Sequence, residues 1–316
     1  MIKGRRVEPK IVGIINPVAG HRKTRQVWLE FTRELNKKGL FCSARETDSP
    51  GAAINLTRSA IKEGAEVIVV VGGDGTLSEV VNGFFEDGKL LNSAVKLAIL
   101  PKGTGTDFYR GLRVSHKPAD VADFIEKGET VKIDVGRHSY ISIDGEECQR
   151  YFANIADLGY GGALIERING LTKLLGGSAA YLLGLLYNLF KYKNVNLKFR
   201  LDDGDEQQGT FLAVIAANGR CFGGGMWIAP DAELADGLLD CVFVGDLSKI
   251  EVLGNIHRLY NGTIKEHPKA FTTHARKLEV WSEDHVLVEA DGEFSGKLAV
   301  TFEIIPAQIN LLNRAD

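Results

Sequence analysis

Five consecutive β-branched residues, Val67 to Val71, run directly into Gly72-Gly73-Asp74-Gly75-Thr76. A strand without a polar position must be covered on both faces, as in parallel sheets sandwiched between helices. The glycines end the strand abruptly, and Leu77, Val80, Val81 and Phe84 then recur at helical spacing. Similar short runs occur at Ile11 to Asn16, Phe41 to Thr47 and Leu97 to Leu100, with helical stretches from Thr24 to Lys38 and Ala52 to Glu63. This βαβα rhythm predicts an α/β domain with a doubly wound parallel sheet.

The chain has 316 residues, more than a single core usually serves, so a second domain is expected. After a helical stretch near Pro118 to Lys127, the pattern turns to strand-like alternation, from VKIDVGRHSYISID through KLAVTFEII. Many short strands broken by turn residues predict a β-rich, antiparallel, sandwich-like domain. Helical insertions are expected near Leu164 to Phe190 and Ser248 to Tyr260. The expected division is 1–130 for the α/β domain and 131–305 for the β-rich domain, with 306–316 packing back on the first.

A net charge of −3 with 25% charged residues argues against nucleic acid as a partner. Basic residues gather only locally, at Lys3, Arg5, Arg6 and Lys10 and again at Arg22, Lys23 and Arg25, where phosphate or anionic lipid would be met. Cys42, Cys148, Cys221 and Cys241 are too dispersed for a disulfide framework or a zinc knuckle, so a cytoplasmic setting is expected. The apolar window Leu171 to Phe190 is interrupted by Lys173, Gly176, Gly177, Ser178 and Asn188, which argues against a membrane-spanning helix. The histidines form no spaced ligand set.

Three loops carry the chemistry. Asn16-Pro17-Val18-Ala19-Gly20 follows the first strand, Gly72-Gly73-Asp74-Gly75-Thr76 the third, and Pro101-Lys102-Gly103-Thr104-Gly105-Thr106-Asp107-Phe108 the fourth. Open α/β sheets bind ligands beyond the carboxyl ends of their strands, where glycines let backbone amides approach a phosphate. Three such loops at one sheet edge predict a nucleotide-phosphate site. Asp74 would stand beside the phosphate, where a carboxylate serves a Mg²⁺ ion or a reacting hydroxyl.

These segments resemble the diacylglycerol kinase catalytic domain family, which includes bacterial lipid kinases and sphingosine and ceramide kinases. The resemblance rests on N-P-x-x-G, on GGDGTLSEVVNG with Glu79, Asn82 and Gly83, and on P-x-G-T-x-x-D-F. It continues through Gly223-Gly224-Gly225 and Pro230 to Asp240, and ends at Asp291-Gly292-Glu293. Ser78 and Thr106 stand where the family commonly has Asn.

The resemblance implies an ATP- and Mg²⁺-dependent lipid kinase. Asn16, Pro17, Val18, Ala19 and Gly20, with Gly72, Gly73, Asp74, Gly75, Thr76, Leu77 and Ser78, are similar to the ATP-phosphate loops, and Thr47 and Thr104 to further nucleotide contacts. Glu233, Asp236 and Leu238 match a structural Mg²⁺ site, although the residues alone read equally well as an acidic loop between strands. Asp291 and Glu293 match the position of the general base, Glu293 taking the proton. By alternation, Glu289, Asp291 and Glu293 would share one face of an extended strand. The implied partner is a lipid at a membrane surface, met by peripheral association of the basic residues, Trp227 or Leu182 to Phe190; self-association as a homodimer is left open. The rivals are an NAD kinase, which resembles this chain in its G-G-D-G-T loop, and a non-catalytic lipid-binding protein of the same fold.

Overall fold

The computed structural model describes residues 10–103, 105–112, 117–163 and 189–313. The chain divides into two compact units, Met1–Ile133 with Ala307–Asp316, and Asp134–Pro306.

In the first unit, strand β1 (Ile11–Ile15) is followed by helix α1 (Thr24–Lys37), β2 (Cys42–Glu46), α2 (Ala52–Lys62), β3 (Val67–Gly72), α3 (Asp74–Gly83), β4 (Lys96–Pro101), α4 (Asp107–Leu112) and α5 (Pro118–Lys127). β1 pairs in parallel with β2 on one side and β3 on the other, and β3 pairs in parallel with β4. Alternate residues of β3 explain why it carries no polar side chain. Val67, Val69 and Val71 pack with Trp28, Phe31 and Leu35 of α1 and Val121, Ala122 and Ile125 of α5. Ile68 and Val70, on the opposite face, are equally buried. The order β2-β1-β3-β4 reverses direction between β1 and β3, so the loops after these two strands flank the topological switch point. Helix α3 begins at Asp74 itself, with Gly73 as its cap, one turn earlier than the apolar spacing suggests.

The second unit contains β5 (Thr130–Ile141, shared at its start with the first unit), β6 (Glu147–Phe152), β7 (Ile155–Gly159), β8 (Val195–Leu201), β9 (Gln207–Ala217), β10 (Leu239–Gly245), helix α6 (Lys249–Asn261), β11 (Ala270–Ala275), β12 (Lys277–Trp281), β13 (Leu287–Ala290) and the long β14 (Glu293–Leu312). Neighbours pair antiparallel, β9 with β7, β8 and β10, and β13 with β7 and β14. Val214 and Ala216 of β9 pack in one apolar cluster, and Ile215 and Ala217 in another. A bulge between Phe211 and Ala213 switches the faces, so Phe211 joins the first cluster and Leu212 the second. The end of β14 belongs to the first unit, where Asn310 and Leu311 pair in parallel with Lys96 and Leu97 of β4.

The expected insertion near Leu164 to Phe190 lies outside the described residues except for its last two positions. Helix α6 matches the other insertion and starts with a reciprocal Ser248–Glu251 capping box.

Candidate active site

Asn16 joins the two loops at the switch point. Its side-chain amide donates to Thr76 Oγ1 at 3.1 Å, while its Oδ1 accepts the Val18 amide at 3.2 Å. The Asn16 carbonyl accepts the Thr24 hydroxyl at 2.9 Å, tying the loop to α1. Gly20, His21 and Arg22 follow with φ of 55°, 56° and 64°, successive left-handed residues that bend the backbone sharply. Pro17, Ala19 and Gly20 are half-buried and Val18 is exposed. Thr47, at the end of β2, donates its amide to the Ile15 carbonyl at 2.9 Å, so it sits beside the end of β1.

The glycines of the third-strand loop have a more local reason than phosphate approach. A Cβ at Gly72 would lie 2.5 Å from Thr76 Oγ1, one at Gly73 would lie 2.8 Å from the Gly105 carbonyl, and one at Gly103 would lie 2.8 Å from Gly73 Cα. The loops after β3 and β4 therefore interlock without space for side chains. The Gly72 carbonyl accepts the Lys102 amide at 2.7 Å, and the Asp74 amide donates to the Gly105 carbonyl at 3.1 Å. A small hollow lined by Gly72, Asp74, Leu77, Pro101, Thr106 and Tyr109 lies between them. Thr104 lies outside the described residues. Thr76, Leu77 and Ser78 point their side chains into the interior, and the Leu77 amide is used by the Gly73 carbonyl at 3.0 Å.

Asp74 turns its carboxylate toward the β4 loop, where Oδ2 accepts the Asp107 amide at 2.8 Å at the start of α4. Burial pushes this carboxyl up to about 6, against the amides of Asp107 and Phe108 and the Arg110 guanidinium, which favour the ionised form. Glu79, quoted above only as part of a motif, caps a different helix: its carboxylate accepts the Gly51 amide at 2.8 Å and the Ala53 amide at 3.0 Å, at the start of α2.

In the second unit, the segment carrying Glu233, Asp236 and Leu238 is held by Asp134, which the sequence reading missed. Asp134 Oδ2 accepts the Gly237 amide at 2.7 Å, and the Asp134 amide donates to the Leu234 carbonyl at 2.7 Å. Glu233 and Asp236 are exposed, and Asp236 Oδ1 accepts the Leu238 amide at 3.0 Å. Among the described residues, no three His, Cys, Asp or Glu groups close on one point. The expected set has instead two carboxylates and a carbonyl, hard oxygen donors with solvent access for the waters that Mg²⁺ retains, so its chemistry fits the ion. The surrounding charge agrees: burial raises the Asp240 carboxyl and, despite relief from His274, the charges of Asp236 and Asp231 raise it further.

Glu289, Asp291 and Glu293 do not share a face. Asp291 and Gly292 form a turn with φ of 52° and 80°, which breaks the alternation expected of a continuous strand. Glu289 points inward and is buried, while Glu293 is exposed at the first position of β14. Asp291 faces the backbone: Oδ2 accepts the Ala153 amide at 2.9 Å, and Oδ1 accepts those of Asn154 and Ile155 at 3.0 and 3.1 Å. A carboxylate bound by three amides anchors a turn and is poorly placed to receive a proton, whereas Glu293, two residues on, has an exposed position.

Of the basic residues expected at a membrane, Lys3, Arg5 and Arg6 lie outside the described residues, and Arg25 is paired with Glu46 at 2.6 Å. Arg22 and Lys23 are exposed, Trp227 is half-buried, and Leu182 to Asn188 lie outside the described residues. Among the described residues, no helix is long and apolar enough to cross a membrane.

The diacylglycerol kinase catalytic domain matches residues 10–138, and the YegS C-terminal NAD kinase beta sandwich-like domain matches residues 154–313. A diacylglycerol kinase of Staphylococcus carnosus (strain TM300) is 30% identical over 310 residues, covering 96% of this chain and 94% of that protein. One from Staphylococcus aureus (strain MRSA252) is 31% identical over 294 residues, 92% of this chain and 87% of that protein. Among solved structures, a diacylglycerol kinase from Bacillus anthracis str. Sterne superposes with a TM-score of 0.70 at 21% identity over 96% of this chain and 97% of that one. Yeast NADH kinase complexed with NADH does so at 0.53 and 10% identity, over 98% of this chain and 85% of that one.

Proposed function

This chain belongs to the diacylglycerol kinase family, and from that we infer that it moves the γ-phosphoryl group of ATP onto a hydroxyl of a diacylglycerol-like lipid. It is a lipid kinase. The observation that carries the finer reading is the linkage of the N-P-x-x-G and G-G-D-G-T loops by Asn16 and Thr76 at the switch point of the parallel sheet. The glycine-rich backbone there lets phosphates approach closely, with Asn16 to Gly20, Thr47, Gly72 to Ser78 and Thr104 as the nucleotide contacts, although the amides of Val18, Thr47, Asp74 and Leu77 are already held by protein acceptors.

Phosphoryl transfer depends mainly on positioning and on neutralising charge. Asp74 orders the two loops through the Asp107 amide, and in its ionised form it would attract the Mg²⁺ ion whose positive charge offsets that of the phosphates. A lipid alcohol needs a carboxylate to accept its proton as the P–O bond forms. Glu293 takes that role, on a turn anchored by Asp291. Glu233 and Asp236 through carboxylates, and Leu238 through its carbonyl, would hold a structural Mg²⁺; when bound, the ion supplies positive charge that draws the acidic loop together. Attachment to the membrane is peripheral and uses exposed cations such as Arg22 and Lys23.

Labelled ATP supplied with mixed micelles of candidate lipids, and with NAD as a soluble control, tests this reading. The expected result is transfer to a lipid hydroxyl that disappears in Glu293→Gln. Faster labelling of NAD than of any dispersed lipid would overturn it.

A further inference from the structure

Two carboxyl groups in the second unit are buried against each other, and neither has a role in the reading above. Glu289 of β13 and Asp157 of β7 are directly opposed in an antiparallel pair, and they are 4% and 2% exposed. As register partners they present their carboxyls to the same side of the sheet, where burial favours the protonated form of both and the charge of Asp157 favours that of Glu289 further. Two carboxylates so close in a dry interior do not both ionise, so the pair shares a single proton.

The groups facing the pair come from several elements. Glu289 Oε2 accepts the Gly292 amide at 2.8 Å, and Glu289 also feels the charge of Asp291. Asp157 accepts the Gly162 amide and lies by the Tyr192 hydroxyl, and Gly161 leaves it space, since a Cβ there would fall 2.1 Å from Asp157 Oδ1. No lysine or arginine among the described residues figures in the interactions of either carboxyl. A bulge between Val288 and Glu289 sets the strand locally out of alternation at this point.

We propose that Glu289 is a positioning residue for the acceptor half-reaction: backed by Asp157, its carboxyl grips the Gly292 amide and thereby sets the direction in which Glu293 leaves the turn. The proposal rests on the reading of Glu293 as general base. Asp291 anchors the near side of the turn to the amides of residues 153–155, and Glu289 anchors the far side. Gly292, at φ 80°, has the backbone freedom to drift without that second bond. Burial, and then the charge of Asp157, push the Glu289 carboxyl well above its ordinary range, while burial pushes Asp157 up to about 6. Above the Asp157 value the pair holds one proton, and that proton is lost as pH rises through the raised Glu289 value. Loss of the shared proton sets two carboxylates side by side, and their repulsion frees the turn.

Three measurements on the full-length enzyme test this. Glu289→Ala is expected to lower kcat by roughly ten- to hundredfold, the effect of misplacing a catalytic group by about an ångström, with KM for ATP and lipid unchanged. Glu289→Gln, which can accept the Gly292 amide and donate to Asp157, is expected to rescue most of that loss and to remove the fall in kcat that the wild type is expected to show on the high-pH side of its profile. Infrared difference spectra taken across the fall in kcat are expected to show the loss of a protonated carboxyl in the wild type but not in Glu289→Gln. Wild-type kcat in Glu289→Ala, or an unaltered alkaline limb in Glu289→Gln, overturns the proposal. If Glu289→Ala does not fold, the pH profile and infrared band of Glu289→Gln decide. Glu293→Gln separates the two readings: if it keeps wild-type kcat the general base is misassigned, and if it is inactive while Glu289→Ala is fully active only the positioning role fails.

Discussion

The Asp74 carboxylate accepts the Asp107 amide at 2.8 Å, so the acid at the centre of the glycine loop also caps the helix that follows the next strand. One side chain thereby couples the order of two glycine-rich loops to its own ionisation.

Asp74→Asn is expected to reduce lipid phosphorylation by at least about a hundredfold while preserving the fold, since the amide keeps one acceptor oxygen but carries no charge. Wild-type turnover by a folded variant would contradict the role assigned to Asp74.

Stability should carry the same signature. Burial holds the Asp74 carboxyl at about 6, above the value near 4 expected in the unfolded chain. The fold thus disfavours the ionised form, and this contribution to stability is lost as pH rises from about 4 to about 6. Across that window, wild-type melting is expected to decline relative to Asp74→Asn, with a constant difference above it. Parallel melting curves throughout would show that Asp74 titrates normally.

Glu79→Ala should cost about 1 kcal/mol of stability through loss of the two amide bonds that start α2. Its kcat at saturating ATP should stay close to wild type, because the carboxylate faces a helix end rather than the loops proposed to bind the nucleotide. Denaturant melts combined with kcat measurements check both parts.

Mg²⁺ should raise the melting temperature of the wild type but not of Asp236→Ala, since an ion stabilises the state that binds it. An equal gain in both proteins would show that Asp236 holds no ion.

Co-sedimentation with anionic vesicles should weaken as salt increases, each exposed cation near the surface contributing about 1 kcal/mol at low ionic strength. Arg22→Glu with Lys23→Glu is expected to reduce binding more than Arg25→Glu, because Glu46 already pairs with Arg25. Equal losses would place the contact elsewhere.

Much of the first unit was legible because its signals are local. A β-branched run must be covered on both faces, a glycine cluster ends it, and apolar spacing near 3.6 residues marks the next helix. The Asp291-Gly292 turn also had a local signal in its D-G pair, yet the alternation of acids around it suggested an unbroken strand with Glu289, Asp291 and Glu293 on one face. Positive φ at both turn residues decided otherwise.

Sequence alone determined where strands end, which loops carry glycine, and which acids were available for chemistry. Tertiary structure alone decided what those acids hold: Asp134 the Gly237 amide 103 residues away, Asp291 the Asn154 amide 137 residues away, and Glu79 the Gly51 amide 28 residues upstream. Each partner is a backbone N–H, a group that every residue but proline possesses, so no residue type in the sequence marks it. The Asp157–Glu289 pair was hidden for a related reason, since strand register sets which side chains meet and a shift of one position would turn either acid toward the opposite face.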